Sequence, residues 1–336
     1  MIPAPYLLYL GHSDDSVGIK TSRGLAAFRR DACVGEWRHH DSPLTLDLPR
    51  LEPAAARAAG ARTLVLGIAN AGGTLGADLV DDALAAIAAG LHVAAGLHQR
   101  LRDHPRLVAA AGAAGVTLFD VRDPPRDLRV GDCRRRAGRR LLTVGTDCSV
   151  GKMYATLCLR DELHARGIAA DFRATGQTGI LIAGAGVPVD AVVADFISGA
   201  IEALAPARDD DGWDLIEGQG SLFHPSFAGV STGLLHGAQP AALLLCHDPS
   251  RAHMRGLPHY ALPGLEECLA ANLAVARLTS PDVRAVGVAL NTAMLDEPAA
   301  RRLCDETAAR LALPCIDPYR FGASPIADEM LACFAP

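Results

Sequence analysis

Along the chain, short apolar runs alternate with stretches of helical periodicity. Residues 6–10, 63–68, 92–94 and 116–119 have the length and content of strands, while 78–89 and 105–114 repeat their apolar residues at helical spacing. The alternation resumes further on. Strands are predicted at 141–144, 169–173, 213–216, 241–246 and 283–290, and helices at 152–166, 189–203, 264–276 and 297–311. Strands alternating with helices predict parallel sheets with helices on both faces, so the expected class is α/β. Between the two series, residues 120–140 are rich in Pro, Gly and charge and poor in periodicity. The expected division is therefore a domain over 1–125, a linker over 126–140 and a domain over 141–336. The linker arginines read as a solvated face or, alternatively, as a phosphate-binding patch.

Composition narrows the class. The 336 residues carry 32 Lys+Arg against 38 Asp+Glu, a formal charge of −6, and half of them are hydrophobic. That balance excludes intrinsic disorder, and it lacks the basic footprint of a nucleic-acid binder. No apolar run approaches the roughly 20 residues that span a bilayer, so no membrane partner is expected. The first residues show no secretory pattern, and the nine cysteines include no Cys-x-x-Cys pair. A reduced, cytoplasmic protein without a metal site is the expectation. Only two lysines occur, Lys20 and Lys152, which singles both out.

Lys152 lies in the most informative segment. Leu141-Leu142-Thr143-Val144 runs into Gly145-Thr146-Asp147-Cys148-Ser149-Val150-Gly151-Lys152-Met153 and then into a helical pattern. A strand, a glycine-bounded loop and a helix form the frame in which backbone amides cradle phosphate oxygens. Met153 departs from the ATPase pattern, because the hydroxyl that would hold Mg²⁺ is replaced by a thioether. The loop resembles that of dethiobiotin synthetase and its amidoligase relatives. That resemblance implies a Mg²⁺-holding role for Glu217, at the end of the apolar run 213–216, and a base-contacting role for Asn291. On its own residues, Glu217 reads as a metal ligand, a general base or a hydrogen-bonded strand terminus.

Further polar segments follow predicted strands, where open α/β sheets gather their ligands. Gly220-Ser221-Leu222-Phe223-His224-Pro225, then His247-Asp248-Pro249-Ser250-Arg251 and Arg255, supply an acid/base and anion-binding set in His224, Asp248, Arg251 and Arg255. Arg173, Thr175, Gln177 and Thr178 are candidates for contact with substrate, as are Gln219 and Ser221. The loop 67–76 reads as a ligand loop or as a tight strand-to-helix turn.

Taken together, Gly145–Met153, Ala174-Thr175-Gly176-Gln177-Thr178-Gly179, Glu217-Gly218-Gln219-Gly220-Ser221 with His224-Pro225, and His247-Asp248-Pro249-Ser250-Arg251 resemble the DgcN family of D-glutamate N-acetyltransferases. Gly18-Ile19-Lys20-Thr21-Ser22 resembles that family's first-domain signature and makes Lys20 a candidate. The resemblance implies an N-terminal Rossmann-like domain followed by a P-loop NTPase-like domain. It also implies acetyl transfer from acetyl-CoA to the amine of a D-amino acid, above all D-glutamate, with a deacetylase acting downstream. Residues 145–153 and Asn291 would then contact the cofactor, Glu217, His224 or Asp248 would serve catalysis, and Lys20, Arg173, Arg251 or Arg255 would hold carboxylates. A covalent acetyl-Cys148 route is one option, a merely small residue at that position the other. The competing functions are an ATP/Mg-dependent ligase or kinase and a non-enzymatic metabolite sensor. A homo-oligomer is the default expectation.

Overall fold

The computed structural model describes residues 2–16, 18–68 and 73–334. The middle of the loop 67–76 therefore lies outside the described residues. The chain divides into two compact units, one containing the residues up to Pro124 together with Gly176–Pro188, the other containing Pro125–Thr175 and the residues from Val189 onward. Among the described residues, no helix is long and apolar enough to cross a membrane.

In the first unit, β1 (Tyr6–Gly11), α1 (Lys20–Phe28), β2 (Cys33–Arg38), α2 (Pro53–Ala58), β3 (Thr63–Leu66), α3 (Ala77–Ala88), β4 (His92–Ala95), α4 (Pro105–Ala114) and β5 (Leu118–Asp120) follow in turn. Among the described residues the strands form a five-stranded parallel sheet in the order β2-β1-β3-β4-β5, that of a flavodoxin-type doubly wound sheet. Continuous burial of Tyr6–Gly11 and Thr63–Leu66 accounts for their near-unbroken apolar sequences, since helices cover both sheet faces. Leu7, Leu64, Leu66 and Val93 pack with Leu79, Ala83, Ile87 and Leu107 on one of them.

The second unit is built from β6 (Arg139–Gly145), α5 (Lys152–Ala165) and β7 (Ala170–Arg173). After α6 (Gln177–Ala183), which belongs to the first unit, come α7 (Ile197–Leu204), β8 (Trp213–Ile216), α8 (Ala228–Ala238), β9 (Ala242–His247), the hairpin β10 (His253–Met254) and β11 (Leu257–Ala261), and α9 (Leu265–Ala276). The chain closes with β12 (Arg284–Leu290), α10 (Glu297–Leu311), β13 (Cys315–Ile316), α11 (Pro318–Phe321) and α12 (Ser324–Cys333). Its main sheet, six-stranded among the described residues, runs β13-β12-β9-β6-β8-β7, all parallel, with β6 between β9 and β8.

One segment differs from expectation, and several helices, α8 among them, have no predicted counterpart. The predicted helix over 189–203 begins as the single 3-10 turns Val189–Ala191 and Ala194–Phe196 and becomes α-helical only at Ile197. Its start contains Val189, Val192 and Val193, whose branched side chains oppose helical packing against the preceding turn. Conversely, the hydroxyl- and glycine-rich stretch after Phe227 is helix α8. Gly233 and Gly237, four residues apart, allow α7 to pack tightly, since added Cβ atoms would lie 2.5 Å from Ile197 Cγ2 and 2.4 Å from the Ser198 carbonyl oxygen.

Candidate functional site

The centre of the second sheet sets the site. Residue Gly145 ends β6, and the loop to α5 turns back through Ser149 at φ 54° and Gly151 at φ 103°. The latter is a left-handed conformation that favours glycine. Val150 is buried beneath the loop, and Met153 sits half-buried in the first turn of α5. Thr146 donates its backbone N–H to the Cys246 carbonyl, 3.1 Å away, and its hydroxyl lies 2.9 Å from His247 Nδ1. Burial holds the His247 imidazole below the usual histidine range.

Lys152 is 7% exposed, and its Nζ donates to the carbonyl oxygens of Asp147 (2.7 Å) and Gly220 (2.8 Å). Burial pushes its pKa down. The strongest opposing influence is Cys148, whose charge on ionising would favour the ammonium. Behind it, Thr156 Oγ1 donates to the Lys152 carbonyl at 2.7 Å, and Thr143 Oγ1 accepts the Gly218 N–H at 2.9 Å. That glycine is sterically required: a Cβ there would lie 1.7 Å from the Thr143 carbonyl oxygen.

Asp147 is fully buried and locks the loop. Oδ1 accepts the Cys148 N–H at 2.6 Å, while Oδ2 accepts the Arg255 N–H at 2.7 Å and faces Arg251 Nη1 at 3.2 Å. Arg251 also donates to the carbonyls of Cys148 (2.7 Å) and Ser149 (2.8 Å). Arg255 is exposed, with Nη1 2.9 Å from Ser149 Oγ. One potential ligand atom from each of Asp147, Cys148 and His224 lies within 4.8 Å of the other two. His224 is 3% exposed, stacks on Phe227 and accepts the Ser226 N–H at Nδ1 (3.2 Å).

The other candidates occupy varied places. Glu217, 4% exposed at the end of β8, accepts the Thr175 N–H at Oε2 (2.9 Å), and its carbonyl accepts the Thr175 hydroxyl (2.6 Å). Ser221 donates to the Thr146 carbonyl at 3.0 Å, and the Gln219 carbonyl accepts the Ser231 hydroxyl at 2.8 Å. Asp248 accepts from Ser250 Oγ at 2.6 Å and lies 3.3 Å from Arg251 Nε; Asn291 Nδ2 approaches it at 3.4 Å. Arg173 is directed to Asp214 at 2.8 Å and Asp171 at 3.3 Å, an ion cluster that also takes Arg208. Lys20, Gln177 and Thr178 belong to the first unit. Lys20 opens α1, Gln177 packs on Gly96, and the buried Thr178 hydroxyl pairs with Thr21 Oγ1 at 2.9 Å.

His247, Thr143 and the clasping role of Asp147 were not evident from the sequence. A lone hydroxyl in the apolar run of β6 was the available signal for Thr143, and a histidine at a strand exit the one for His247.

A flavodoxin-ordered sheet in one unit, and in the other a central parallel strand running through a glycine-bounded loop into a helix, define a two-unit α/β protein with a P-loop-type cradle. The chain belongs to the DUF1611 family. Residues 32–124 match that family's N-terminal Rossmann-like domain of unknown function, and residues 128–327 its C-terminal P-loop domain of unknown function. A D-glutamate N-acetyltransferase of Tritonibacter scottomollicae is 49% identical over 332 residues, 99% of this chain and 100% of that protein. A second D-glutamate N-acetyltransferase, from a Pseudoalteromonas species, is 45% identical over 329 residues, 98% of this chain and 99% of that protein. A crystal structure of a DUF1611 family protein from Anabaena variabilis ATCC 29413, at 34% identity, matches with a TM-score of 0.90 over 98% of this chain and 100% of that one.

Proposed function

We propose that the protein is an N-acetyltransferase that moves the acetyl group of acetyl-CoA to the amine of D-glutamate. The observation that carries this reading is the near-full-length identity to two proteins of that name. The loop chemistry agrees with it. A cradle of amides with Lys152 accepts negative charge, whether on the pyrophosphate of acetyl-CoA or developing on its thioester oxygen. Residues 145–153 are the proposed contact with the acyl donor, with Asn291 at their margin. Exposed Arg255 is the best placed of the second unit's candidate arginines for a substrate carboxylate, because the Arg173 guanidinium is held by a buried carboxylate and that of Arg251 by Asp147 and two carbonyls, whereas Arg255 Nη1 meets a neutral hydroxyl. Glu217, His224 and Asp248 remain the proposed acid/base groups.

An ATP/Mg-dependent ligase or kinase is less well supported. Met153 offers a thioether to a hard cation, and the Thr156 hydroxyl, one turn further along α5, donates to the Lys152 carbonyl. We also propose that the enzyme is cytoplasmic and homo-oligomeric and that a deacetylase consumes its product.

The test is thiol release from acetyl-CoA across a panel of D- and L-amino acids, with ATP/Mg²⁺ run alongside. Release dependent on D-glutamate, with N-acetyl-D-glutamate as product, is the expected result. ADP formation without thiol release would overturn the reading.

A further inference from the structure

Besides Met153, the loop carries a second unusual residue, Cys148. The turn requires only a small residue, yet it presents a half-buried thiol facing a histidine and a carboxylate. The three side chains have separable roles. Asp147 is committed on both oxygens to the Cys148 and Arg255 amides and to Arg251, so it shapes the loop. His224 Nδ1 accepts the Ser226 N–H, so the neutral ring carries its proton on Nε2 and offers a donor. Lys152 stands near enough for the charge of Cys148 to act on it. A sulfur anion here would face an imidazole, with the Lys152 ammonium within reach of its charge. Cysteine nucleophiles are activated in such electropositive, partly exposed surroundings.

We infer that Cys148 carries the acetyl group as a thioester between acetyl-CoA and the amine; this rests on the acetyltransferase reading above. Cys148 first releases its proton to solvent. Its Sγ bonds to the acetyl carbon, the bond from that carbon to the CoA sulfur breaks, and the departing CoA thiolate takes a proton from solvent. The free amine of the acceptor then bonds to the same carbon, the bond to Cys148 Sγ breaks to restore the thiolate, and the proton shed by nitrogen goes to solvent. The cradle thus serves the tetrahedral oxyanion, with its amides as donors. A pyrophosphate seated in the same loop would leave the thioester at the far end of the pantetheine arm, so the two uses of the loop are mutually exclusive. Zinc also takes Cys, His and Asp ligands, but the occupied Asp147 oxygens and the Lys152 ammonium oppose a divalent ion here.

The experiment incubates the wild-type enzyme with acetyl-CoA and no amine, then measures intact mass, maps the modified peptide and counts released thiol. One acetyl group on Cys148, labile to hydroxylamine and discharged by D-glutamate, with one equivalent of CoA released, is the expected result. Cys148→Ala should abolish both release and product, and Cys148→Ser should accumulate a slowly discharged acetyl ester; circular dichroism confirms that each variant is folded. Product formation by wild type without any acetylated Cys148, and an undiminished rate in Cys148→Ala, would overturn the covalent route while leaving the acetyltransferase reading intact. Failure of wild type to acetylate any amino acid would instead remove the reading beneath it. Activity lost on chelation and restored by zinc would assign the cluster to a metal and overturn the proposal.

Discussion

Arg251 and Asp147 hold one another across the loop, Nη1 to Oδ2 at 3.2 Å, while the same guanidinium collects the carbonyls of Cys148 and Ser149. A planar fork reaches three acceptors at once, which a lysine ammonium on a flexible stem does not reproduce. Arg251→Lys should therefore loosen the loop without removing its charge. We expect a loss of about 1–2 kcal/mol in stability by denaturant titration. We also expect kcat/KM to fall about 10- to 100-fold, since small displacements of positioned groups are costly.

Lys152 makes a prediction about pH. Burial lowers its pKa, so the ammonium is lost below the ordinary lysine range as pH rises. Activity should show an alkaline limb beginning below about 10.4. Unfolding is not the cause, because the folded state holds that proton less tightly than the unfolded chain. The Lys152 contribution to stability therefore grows as pH climbs toward the unfolded value. Rate profiles and circular dichroism at matched pH separate the two effects. Lys152→Met should lower kcat by about 100-fold on the plateau below the alkaline limb, as expected for loss of one preorganised cationic donor, and the gap to wild type should narrow along the limb.

The local parts of this architecture were readable in the chain. The strand, loop and helix around Gly145–Met153 depend on neighbouring residues and on periodicities that survive in one dimension. Helix α8 was hidden because Ser231, Gly233 and Gly237 give it small and polar residues, whose reason is close contact with α7. The Asp147 clasp and the His247 contact join residues 104 and 101 positions apart, which local patterning cannot encode. Arg173 was one of four candidate carboxylate ligands in the sequence, and its pairing with the fully buried Asp214 of the neighbouring strand is a contact that no local pattern announces.

Thr178 offers a test of structure against recognition. Its hydroxyl pairs with that of Thr21 in a buried site of the first unit. Thr21→Val and Thr178→Val should each cost about 1–3 kcal/mol, because each leaves one buried hydroxyl unsatisfied. The double variant should cost less than the sum, with the coupling read from a denaturant-based cycle. An unchanged KM for D-glutamate in Thr178→Val would take this residue out of the substrate-contact set.

His247 predicts how the fold responds to acid. Burial is the main cause of its lowered pKa; Asp248 opposes the shift, and Arg310 and Arg251 reinforce it. The folded value therefore lies below the unfolded value of about 6.5. As pH falls through that value, the unfolded chain takes up a proton that the folded state resists, so stability drops. The loss is complete once pH passes below the folded value. His247→Asn retains a polar partner for the Thr146 hydroxyl but has no proton to gain. His92 and His98, also lowered chiefly by burial, are the same in both proteins and cancel in the comparison. Denaturant titrations near neutrality and at about pH 5 should therefore show a smaller loss of stability on acidification for His247→Asn than for the wild type. Equal losses would mean that His247 is not held neutral against Thr146.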